Sequence, residues 1–356
     1  MEIHFLRADY GDCIWINFTD DAGSIRNIVI DGGPPETYEV DKNEKGKPEA
    51  GALQKLIIDL KRDQQKIDLL IITHIDDDHI GGILKWFSND TGAAAIINDV
   101  WFNSGKLIAD TFKRNENKDL NAFIKRHNAK LSTSIDQGIE FGQYIFDNKI
   151  WNRDLILQGM IKKKFGLTFK ILSPNKPKLD LLLRHWKKKD PNLNTGVAYN
   201  DYGKTLKEHL KNDTYTQDGS YPNGSSIAFL IEYKERKFLF LGDSHPAVIV
   251  KGMKLFNITP AKPVKVDLVK LSHHGSKGNT SKKLLQCIEA TDFLISTDGK
   301  GNQHPNKQLL ARLIGLKPNA NLLFNYPERM AQIFSGEDKT DFPDFSYAAV
   351  EVPLTF

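Results

Sequence analysis

Residues 73–82 read Thr-His-Ile-Asp-Asp-Asp-His-Ile-Gly-Gly and follow Ile-Asp-Leu-Leu-Ile-Ile at residues 67–72, a pattern typical of a buried strand. Two imidazoles and three carboxylates therefore crowd into a tight turn at a strand end. Carboxylates this close repel one another unless a cation or solvent neutralises them, and His with Asp supplies the ligands that zinc, manganese or iron accept. The pattern favours a metal site over the alternative, a solvated acidic turn with two incidental histidines.

Three further apolar stretches end in polar side chains that could serve the same site. Asp31 ends Val-Ile-Asp, Asp243 ends Leu-Phe-Leu-Gly-Asp, and His273 and His274 end Leu-Val-Lys-Leu-Ser-His-His. Taken alone, each is better explained as a turn residue or a satisfied polar side chain. Because strand ends at one edge can converge, the four stretches together predict one metal-binding site.

The composition is that of an ordinary globular protein and names no partner. Of 356 residues, 49 are Lys or Arg and 45 are Asp or Glu. Cys13 and Cys287 lie in apolar surroundings, which favours reduced core residues over a disulfide. The N-terminus lacks the pattern of a signal peptide, and no stretch approaches the ~20 apolar residues needed to span a bilayer. We expect a cytoplasmic protein with no membrane contact; its protein partners are not indicated.

The order of strands and helices predicts two packed sheets with helices outside them. The predicted strands are residues 2–8, 13–18, 25–31, 67–74, 225–233, 236–243, 266–274, 292–299 and 321–326. The predicted helices outside the central region are residues 49–61, 280–290 and 306–314.

The central region has a weaker pattern, with frequent Asn, Lys and Asp. Within it we predict helices at residues 120–128 and 179–188 and a strand at Phe169. We interpret the chain as a single domain, residues 1–356, with an insertion at about 105–222.

The motifs resemble the metallo-β-lactamase superfamily and, within it, stand-alone relatives of the hydrolase domain of ComEC, the DNA-uptake channel protein. The resemblance covers nearly the whole chain except about residues 85–222. It runs through Arg-Ala-Asp-Tyr-Gly-Asp-Cys-Ile at 7–14, Asp-Gly-Gly at 31–33, the motif at 74–82, Asn-Gly-Ser-Ser at 223–226, Leu-Gly-Asp at 241–243, His-His-Gly-Ser at 273–276 and His-Pro at 304–305. It implies an α/β fold, an αββα sandwich with the site at its edge. The inserted, partly helical basic region lies outside the resemblance and is predicted from the sequence pattern alone.

The resemblance also implies roles for the site residues. His74 and Asp76 would serve one metal position, and Asp78 and His79 the other. Asp243 would bridge the two positions, His273 would complete the second, and Asp31 would orient the site from behind.

One feature departs from the superfamily pattern His-x-His-x-Asp-His. Asp76 stands where a second His is usual, and residues 223–226 offer no His for the third motif. An extra carboxylate shifts the preference of that position towards Mn²⁺ or Mg²⁺. His245 and His304 lie near motif residues and could complete the first position or act as an acid; the alternative for each is an ordinary surface histidine.

Such a site can hydrolyse a substrate without a Ser or Cys nucleophile. Two cations about 3.5–4 Å apart would lower the pKa of a bridging water from ~16 towards ~7. We expect one or two Zn²⁺ or Mn²⁺ ions per chain, with Asp78, His245 and His304 as candidate catalytic residues. The scaffold permits phosphodiester, lactone, thioester or β-lactam hydrolysis.

Charge distribution gives the next indication. Residues 153–189 carry 11 Lys or Arg against two acidic residues, with Phe165, Phe169 and Trp186 between them. Such a stretch could follow a phosphate backbone while an aromatic ring stacks on a base. The candidate nucleic-acid contacts are Lys162, Lys163, Lys164, Lys187, Lys188 and Lys189. The alternative is a solvated lysine-rich surface with the aromatic residues in a local core.

Together these features predict a hydrolase that uses a metal-bound hydroxide, and the ComEC resemblance implies a phosphodiesterase or nuclease acting on DNA or RNA. Two alternatives stay open. One is a small-molecule hydrolase of the same fold, acting on a lactone, thioester or cyclic nucleotide. The other is a metal-stabilised interaction module without activity.

Overall fold

A computed structural model describes residues 1–41, 46–113, 134–188 and 200–356. The helix predicted at residues 120–128 and the candidate contact Lys189 lie outside the described residues.

The described chain is built from short strands in two main sheets and from helices. In chain order the strands are β1 (Glu2–Phe5), β2 (Ile14–Thr19), β3 (Ile25–Ile30), β4 (Glu39–Val40), β5 (Glu49–Ala50), β6 (Leu69–Ile71), β7 (Val100–Trp101), β8 (Ile161–Lys164), β9 (Leu167–Ser173), β10 (Ala228–Tyr233), β11 (Arg236–Phe240), β12 (Val264–Lys265), β13 (Leu268–Lys270), β14 (Ile288–Glu289), β15 (Asp292–Ile295), β16 (Asn321–Phe324), β17 (Ser346–Ala349) and β18 (Leu354–Thr355).

The α-helices lie mainly between and after the strands of each sheet. They are α1 (Pro35–Tyr38), α2 (Ala52–Arg62), α3 (Asp77–Asn89), α4 (Gly105–Thr111), α5 (Ser134–Asp147), α6 (Lys176–Lys188), α7 (Leu206–Lys211), α8 (Tyr221–Gly224), α9 (Pro246–Leu255), α10 (Lys282–Gln286), α11 (Lys307–Leu316), α12 (Met330–Ile333) and α13 (Gly336–Asp341). Short 3₁₀ turns occur at Ala93–Ile96, Ser272–Gly275 and Pro327–Arg329.

The first sheet has the strand order β18-β1-β2-β3-β6-β7, and the second has the order β17-β16-β15-β13-β11-β10-β9-β8. In the first sheet β3 and β6 are parallel, and in the second β11 and β13 are parallel. The carboxyl ends of parallel neighbours lie at the same edge of a sheet. The carboxyl ends of β3 and β6 therefore lie side by side in the first sheet, and those of β11 and β13 lie side by side in the second. The motif residues follow these four strand ends.

The two sheets pack face to face, and each has helices on its outer face. One buried cluster contains Ile16 and Leu69 of the first sheet together with Phe229 and Phe238 of the second. A second cluster joins the outer face of the first sheet to the apolar stripe of α2, and a third joins the outer face of the second sheet to α9, α10 and α11. Alternate residues of each strand thus enter different apolar layers. The predicted αββα sandwich is confirmed.

The region that we interpreted as an insertion is tied into both layers. Its strands β8 and β9 extend the second sheet, since β9 pairs with β10 along its length. Its helices α5 and α6 pack on the first sheet through Phe141 and Trp186. The helix predicted at 280–290 is shorter than expected because Ile288 and Glu289 leave the helix and pair with β12.

Both cysteines are buried and form no disulfide, as their apolar surroundings predicted. Among the helices of the described ranges, none is long and apolar enough to cross a membrane. The cytoplasmic location stays a prediction.

A buried ion pair fastens α11 to the segment that precedes α8. Arg312 Nε and Nη2 donate to the two carboxylate oxygens of Asp213 at 3.0 and 2.7 Å, and both side chains are at most 3% exposed. Burial opposes ionisation of Asp213, yet the Arg312 guanidinium lowers the pKa of that carboxyl to about 2. A lowered carboxyl pKa stabilises the folded protein above the unfolded pKa, and this contribution disappears as the pH falls through the folded pKa.

Replacing Asp213 with asparagine is therefore expected to cost about 2 kcal/mol of unfolding free energy at neutral pH. The loss should shrink as the pH is lowered from about 4 to about 2, where the wild-type carboxyl also becomes protonated. Urea unfolding of both proteins across this range measures the difference. A difference that stays constant with pH would contradict the assignment.

Candidate metal centre

Four strand ends bring the motif residues to one edge of the sandwich. Asp31 follows β3, the motif at 73–82 follows β6, Asp243 follows β11, and the His-His pair follows β13. The backbone joins the sheets at this edge, since the Ile227 amide of the second sheet donates to the Thr73 carbonyl of the first at 2.9 Å.

Asp31 holds the first motif in place from behind. Its carboxylate accepts hydrogen bonds from the Thr73 amide at 2.7 Å and the Thr73 hydroxyl at 2.7 Å, and it contacts His79 Nδ1 at 2.8 Å. Asp31 is 1% exposed. With Nδ1 held by a carboxylate, the other ring nitrogen of His79 is free to face the centre of the site.

One group of ligand atoms, called the first position here, surrounds one carboxylate oxygen of Asp243. His74 Nε2 lies 3.6 Å from Asp76 Oδ2 and 3.8 Å from Asp243 Oδ2. His273 Nε2 lies 3.6 Å from the same Asp243 oxygen. The first position thus offers two imidazole nitrogens and two carboxylates.

A second group, called the second position here, surrounds the other oxygen of Asp243. His79 Nε2 lies 3.4 Å from Asp243 Oδ1 and 3.8 Å from Asp78 Oδ2. His274 Nε2 lies 3.3 Å from Asp78 Oδ2 and 3.9 Å from Asp243 Oδ1. Asp243 therefore bridges two groups of the same composition.

The inward-facing atoms of both groups lack protein partners. His74 Nε2, His79 Nε2, His274 Nε2 and Asp243 Oδ1 are buried and make no hydrogen bond. A buried polar atom without a partner costs about 1–3 kcal/mol, and several together need an explanation. Imidazole nitrogens and carboxylate oxygens are ligands of zinc, manganese and iron, so the residues fit a pair of divalent cations.

The pKa values of the site residues also indicate an excess of negative charge that a cation would neutralise. Burial and the neighbouring Asp78 carboxylate raise the pKa of Asp76 to about 7. Burial, with a further contribution from the nearby His79, lowers the pKa of His74 to about 3. Burial opposes protonation of His79 as well, yet the carboxylates of Asp243 and Asp78 raise the pKa of His79 well above its usual value. Protons on Asp76 and His79 offset negative charge that a metal cation would otherwise neutralise.

The backbone at the His-His pair is unusual and sets the directions of the two rings. His273 and His274 have φ angles of 50° and 53°, in the left-handed region that costs non-glycine residues free energy. This turn sends the neighbouring imidazoles to different metal positions. We expected His273 at the second position; the structure places His274 there and His273 at the first position, where the sequence motif lacked a histidine.

Family comparison agrees with this geometry. Residues 8–159 match the model of the metallo-beta-lactamase superfamily. Over these residues the chain is similar to that superfamily. ComE operon protein 3 of Bacillus subtilis (strain 168) is 25% identical over 138 residues, which are 36% of this chain and 17% of that protein. The match thus spans less than a fifth of that relative.

Solved structures also align with the chain. They include the metallo-beta-lactamase fold protein YhfI from Bacillus subtilis (11% identity, TM-score 0.42, 99% of this chain and 97% of that chain), the diiron beta-hydroxylase CmlA from Streptomyces venezuelae (12%, 0.44, 100% and 54%) and isothiocyanate hydrolase from Delia radicum gut bacteria (14%, 0.38, 100% and 99%). These similarities assign no substrate to the chain.

Of the two histidines singled out as catalytic candidates, His304 lies beside His273, whereas His245 lies beside Asp218. The His304 ring lies 5.1 Å from the His273 ring, and its Nδ1 is buried without a partner. His245 is 1% exposed, and its Nε2 lies 3.6 Å from Asp218 Oδ2. His245 thus contacts a carboxylate rather than the ligands of the first position.

Asp218 was missed by the sequence analysis because no motif surrounds it. Its carboxylate lies 3.6 Å from His273 Nδ1 and accepts hydrogen bonds from Asn223 at 2.7 Å and Asn279 at 3.0 Å. Asn279 Oδ1 also lies 3.0 Å from His273 Nδ1. These groups fix the His273 ring from the side away from Asp243.

Three of the lysines proposed to contact nucleic acid, Lys162, Lys163 and Lys164, lie on β8, away from the metal positions. Lys162 and Lys164 belong to the edge strand β8 and pair with Asp154 at 2.8 Å and Asp99 at 2.7 Å. Through the pairing of β8, β9, β10 and β11, Lys162 is aligned with Phe238. At about 3.3 Å per residue and about 4.8 Å per strand, Lys162 lies on the order of 20 Å from Asp243.

The neighbouring aromatic residues cannot stack on a base as the chain is folded. Phe169 and Trp186 are 0% and 4% exposed and belong to apolar clusters. Phe165 is partly buried and packs under the Arg26 guanidinium at 4.8 Å. The lysines of β8 have a structural explanation as well, since charged side chains on an edge strand discourage pairing with other chains.

Lys187 and Lys188 lie at the carboxyl end of α6. That helix packs on the first sheet, so these two residues are not on the same surface element as β8. The five described lysines therefore lie on two elements, β8 and α6, and do not form one continuous track along a single element.

Proposed function

We propose that this chain is a metal-dependent hydrolase with two divalent cations, Zn²⁺ or Mn²⁺, and that its substrate is a phosphodiester of DNA or RNA. The observation that carries the proposal is the pair of ligand groups that share Asp243. When bound there, the cations would polarise a phosphoryl oxygen and lower the pKa of a bound water.

The charge of the site supports an anionic substrate. The two positions hold three carboxylates, those of Asp76, Asp78 and Asp243. The positive charge of two divalent cations would exceed the negative charge of these three carboxylates. The centre would therefore have a net positive charge and attract an anion before any bound water ionises. A phosphodiester gains from this attraction, whereas a neutral lactone or thioester does not.

His304 supports the proposal as a substrate contact. Burial holds the pKa of His304 well below its usual value, and the His273 and His274 rings lower it further. The imidazole is therefore neutral at physiological pH and can donate or accept one hydrogen bond through a nitrogen that has no protein partner. We assign it to orienting the substrate beside the first position rather than to delivering a proton.

The experiment that tests the proposal is cleavage of linear and circular DNA, single- and double-stranded, and of RNA. The protein is first stripped with a chelator and then supplied with Mn²⁺ or Zn²⁺. Asp78→Ala serves as the control because it removes a ligand of the second position and no core side chain. We expect metal-dependent cleavage by the wild type and none by the variant. Bound metal with intact nucleic acid would refute the nuclease.

A second candidate, a small-molecule hydrolase, is favoured by the acidic surroundings of Tyr10. Burial raises the pKa of Tyr10, and the carboxylates of Asp77, Asp78 and Glu36 raise it further. Acidic residues beside the site disfavour a long polyanion. A panel of lactones, thioesters and cyclic nucleotides, assayed with the same metals, distinguishes this candidate from the nuclease.

The β8 lysines give a prediction that separates binding from chemistry. A substrate must reach on the order of 20 Å from the metal positions to contact them. Lys162→Gln, Lys163→Gln and Lys164→Gln together should weaken binding to a duplex of about 40 base pairs and flatten its salt dependence. Hydrolysis of a small phosphodiester should not change. Unchanged duplex binding would remove these lysines from the proposed interface.

A further inference from the structure

Lys270 is buried between the two sheets, where an apolar side chain is expected. Leu268, two residues earlier on β13, belongs to the apolar layer between the sheets, whereas Val269 and Leu271 belong to the outer layer. Strand alternation therefore points Lys270 into the inter-sheet layer. Its side chain is 1% exposed.

The partner of Lys270 is Asp12, which comes from the opposite sheet. The Lys270 ammonium contacts the Asp12 carboxylate, and that side chain is 2% exposed. Asp12 lies in the loop between β1 and β2, and its amide donates to the Asp78 carbonyl at 3.1 Å. The pair thus connects the sheets directly beneath the second position.

Stability alone does not explain this pair. Desolvating two charges costs several kcal/mol per ion, and well-packed apolar residues in place of a buried ion pair are often neutral or stabilising. Lys270 lies in the same layer as the apolar Leu268, where an apolar residue is the ordinary choice. Their presence indicates a role beyond joining the two sheets.

The free oxygen of Asp12 indicates that role. Asp12 Oδ1 makes no hydrogen bond and lies 3.5 Å from His274 Nδ1. The same ring nitrogen lies 2.9 Å from the Ser296 carbonyl. His274 Nε2, on the other side of the ring, faces Asp78 and Asp243. Ligand-capable atoms of Asp12, His79, Asp243 and His274 all lie within 4.8 Å of one another.

We propose that Asp12 and Lys270 are positioning residues for the second metal position. Lys270 fixes the Asp12 carboxylate behind the His274 ring, and Asp12 with Ser296 fixes the ring orientation that presents Nε2 to the cation. Neither residue is assigned contact with the substrate. The inference rests on the proposed function because it requires that the second position binds a metal.

The test replaces the charged pair with neutral side chains of similar shape, Lys270→Met with Asp12→Asn. The chain offers a matched control. Lys307 Nζ and Asp338 Oδ2 form another buried pair at 2.6 Å, with side chains 2% and 0% exposed. Lys307→Met with Asp338→Asn removes an equivalent pair that contacts neither metal position.

Binding of Mn²⁺ is measured by calorimetry, and the loaded proteins are examined by electron paramagnetic resonance, in which two adjacent Mn²⁺ ions give a coupled signal. The wild type and the control pair should bind two ions and show the coupled signal. In the Lys270→Met, Asp12→Asn variant the affinity for one ion should fall at least about tenfold and the coupled signal should disappear at matched Mn²⁺ concentration.

The outcomes separate this inference from the proposed function. A wild type that binds no Mn²⁺ overturns the proposed function. A wild type and a double variant with the same two affinities and the same coupled signal overturn the inference alone. Should the double variant fail to fold, Lys270→Met alone, which removes the ammonium group that holds Asp12, is judged by the same criterion.

Discussion

Replacing Asp243 with asparagine is expected to remove both metal ions and almost all hydrolytic activity. Its two oxygens face different positions, Oδ1 towards His79 and Oδ2 towards His74 and His273. An amide is a weaker, uncharged ligand and can offer only one oxygen. Losing several kcal/mol of charge stabilisation corresponds to on the order of 10³-fold in rate.

The matched control for this substitution is Asp68→Asn, at the opposite edge of the sandwich. Asp68 is also buried, and its carboxylate accepts hydrogen bonds from Arg26 at 3.0 Å and from the Asn27 amide at 2.9 Å. The Asp68→Asn variant should be less stable than the wild type and should still bind its metal ions. Metal content is measured by elemental analysis after gel filtration. An Asp243→Asn protein that retains two ions would contradict the bridging role.

The fold was largely predictable because its strands are apolar runs, alternating in β2 and continuous in β6 and β13, that end in polar residues. Each strand of the sandwich has apolar residues on one or both faces, and the motif residues come directly after these strands. His74, Asp78 and Asp243 could be identified because a ligand at a strand end is visible in the local sequence. The convergence of those strand ends follows from the parallel pairing of β3 with β6 and of β11 with β13.

Other parts of the site depend on contacts that no local pattern records. Asp12 and Lys270 are 258 positions apart in the chain, and each appears ordinary until the sheets pack. Asp218 lies in a stretch without periodicity and reaches His273 only in the folded protein. Side-chain pairs of this kind are set by tertiary packing, so a single sequence does not reveal them.

The lysine-rich stretch shows a different limit. Composition left open either a nucleic-acid track or a solvated lysine-rich surface, and the sequence could not show that Lys162 and Lys164 pair with Asp154 and Asp99. The count of basic residues overstated the free positive charge of that surface. Position relative to the metal centre, rather than composition, decides whether such a stretch can meet a substrate.

His273 and His274 provide the second large effect, because we expect each histidine to serve a different metal ion. His273→Ala should empty the first position, where His273 Nε2 lies 3.6 Å from Asp243 Oδ2. His274→Ala should empty the second position, where His274 Nε2 lies 3.3 Å from Asp78. Each variant should retain one ion and lose on the order of 10²–10³-fold in rate, since the chemistry needs both cations.

The two variants control for each other. His273 and His274 have nearly the same backbone conformation, with φ of 50° and 53°, so alanine carries a similar backbone strain at either residue. What differs is the position that loses an imidazole ligand, which is the first position in His273→Ala and the second position in His274→Ala. Anomalous diffraction from Mn²⁺-loaded crystals would show which ion remains. If both variants lost the same ion, the assignment of His273 to the first position would be wrong, and that position would lack the second imidazole that its geometry now supplies.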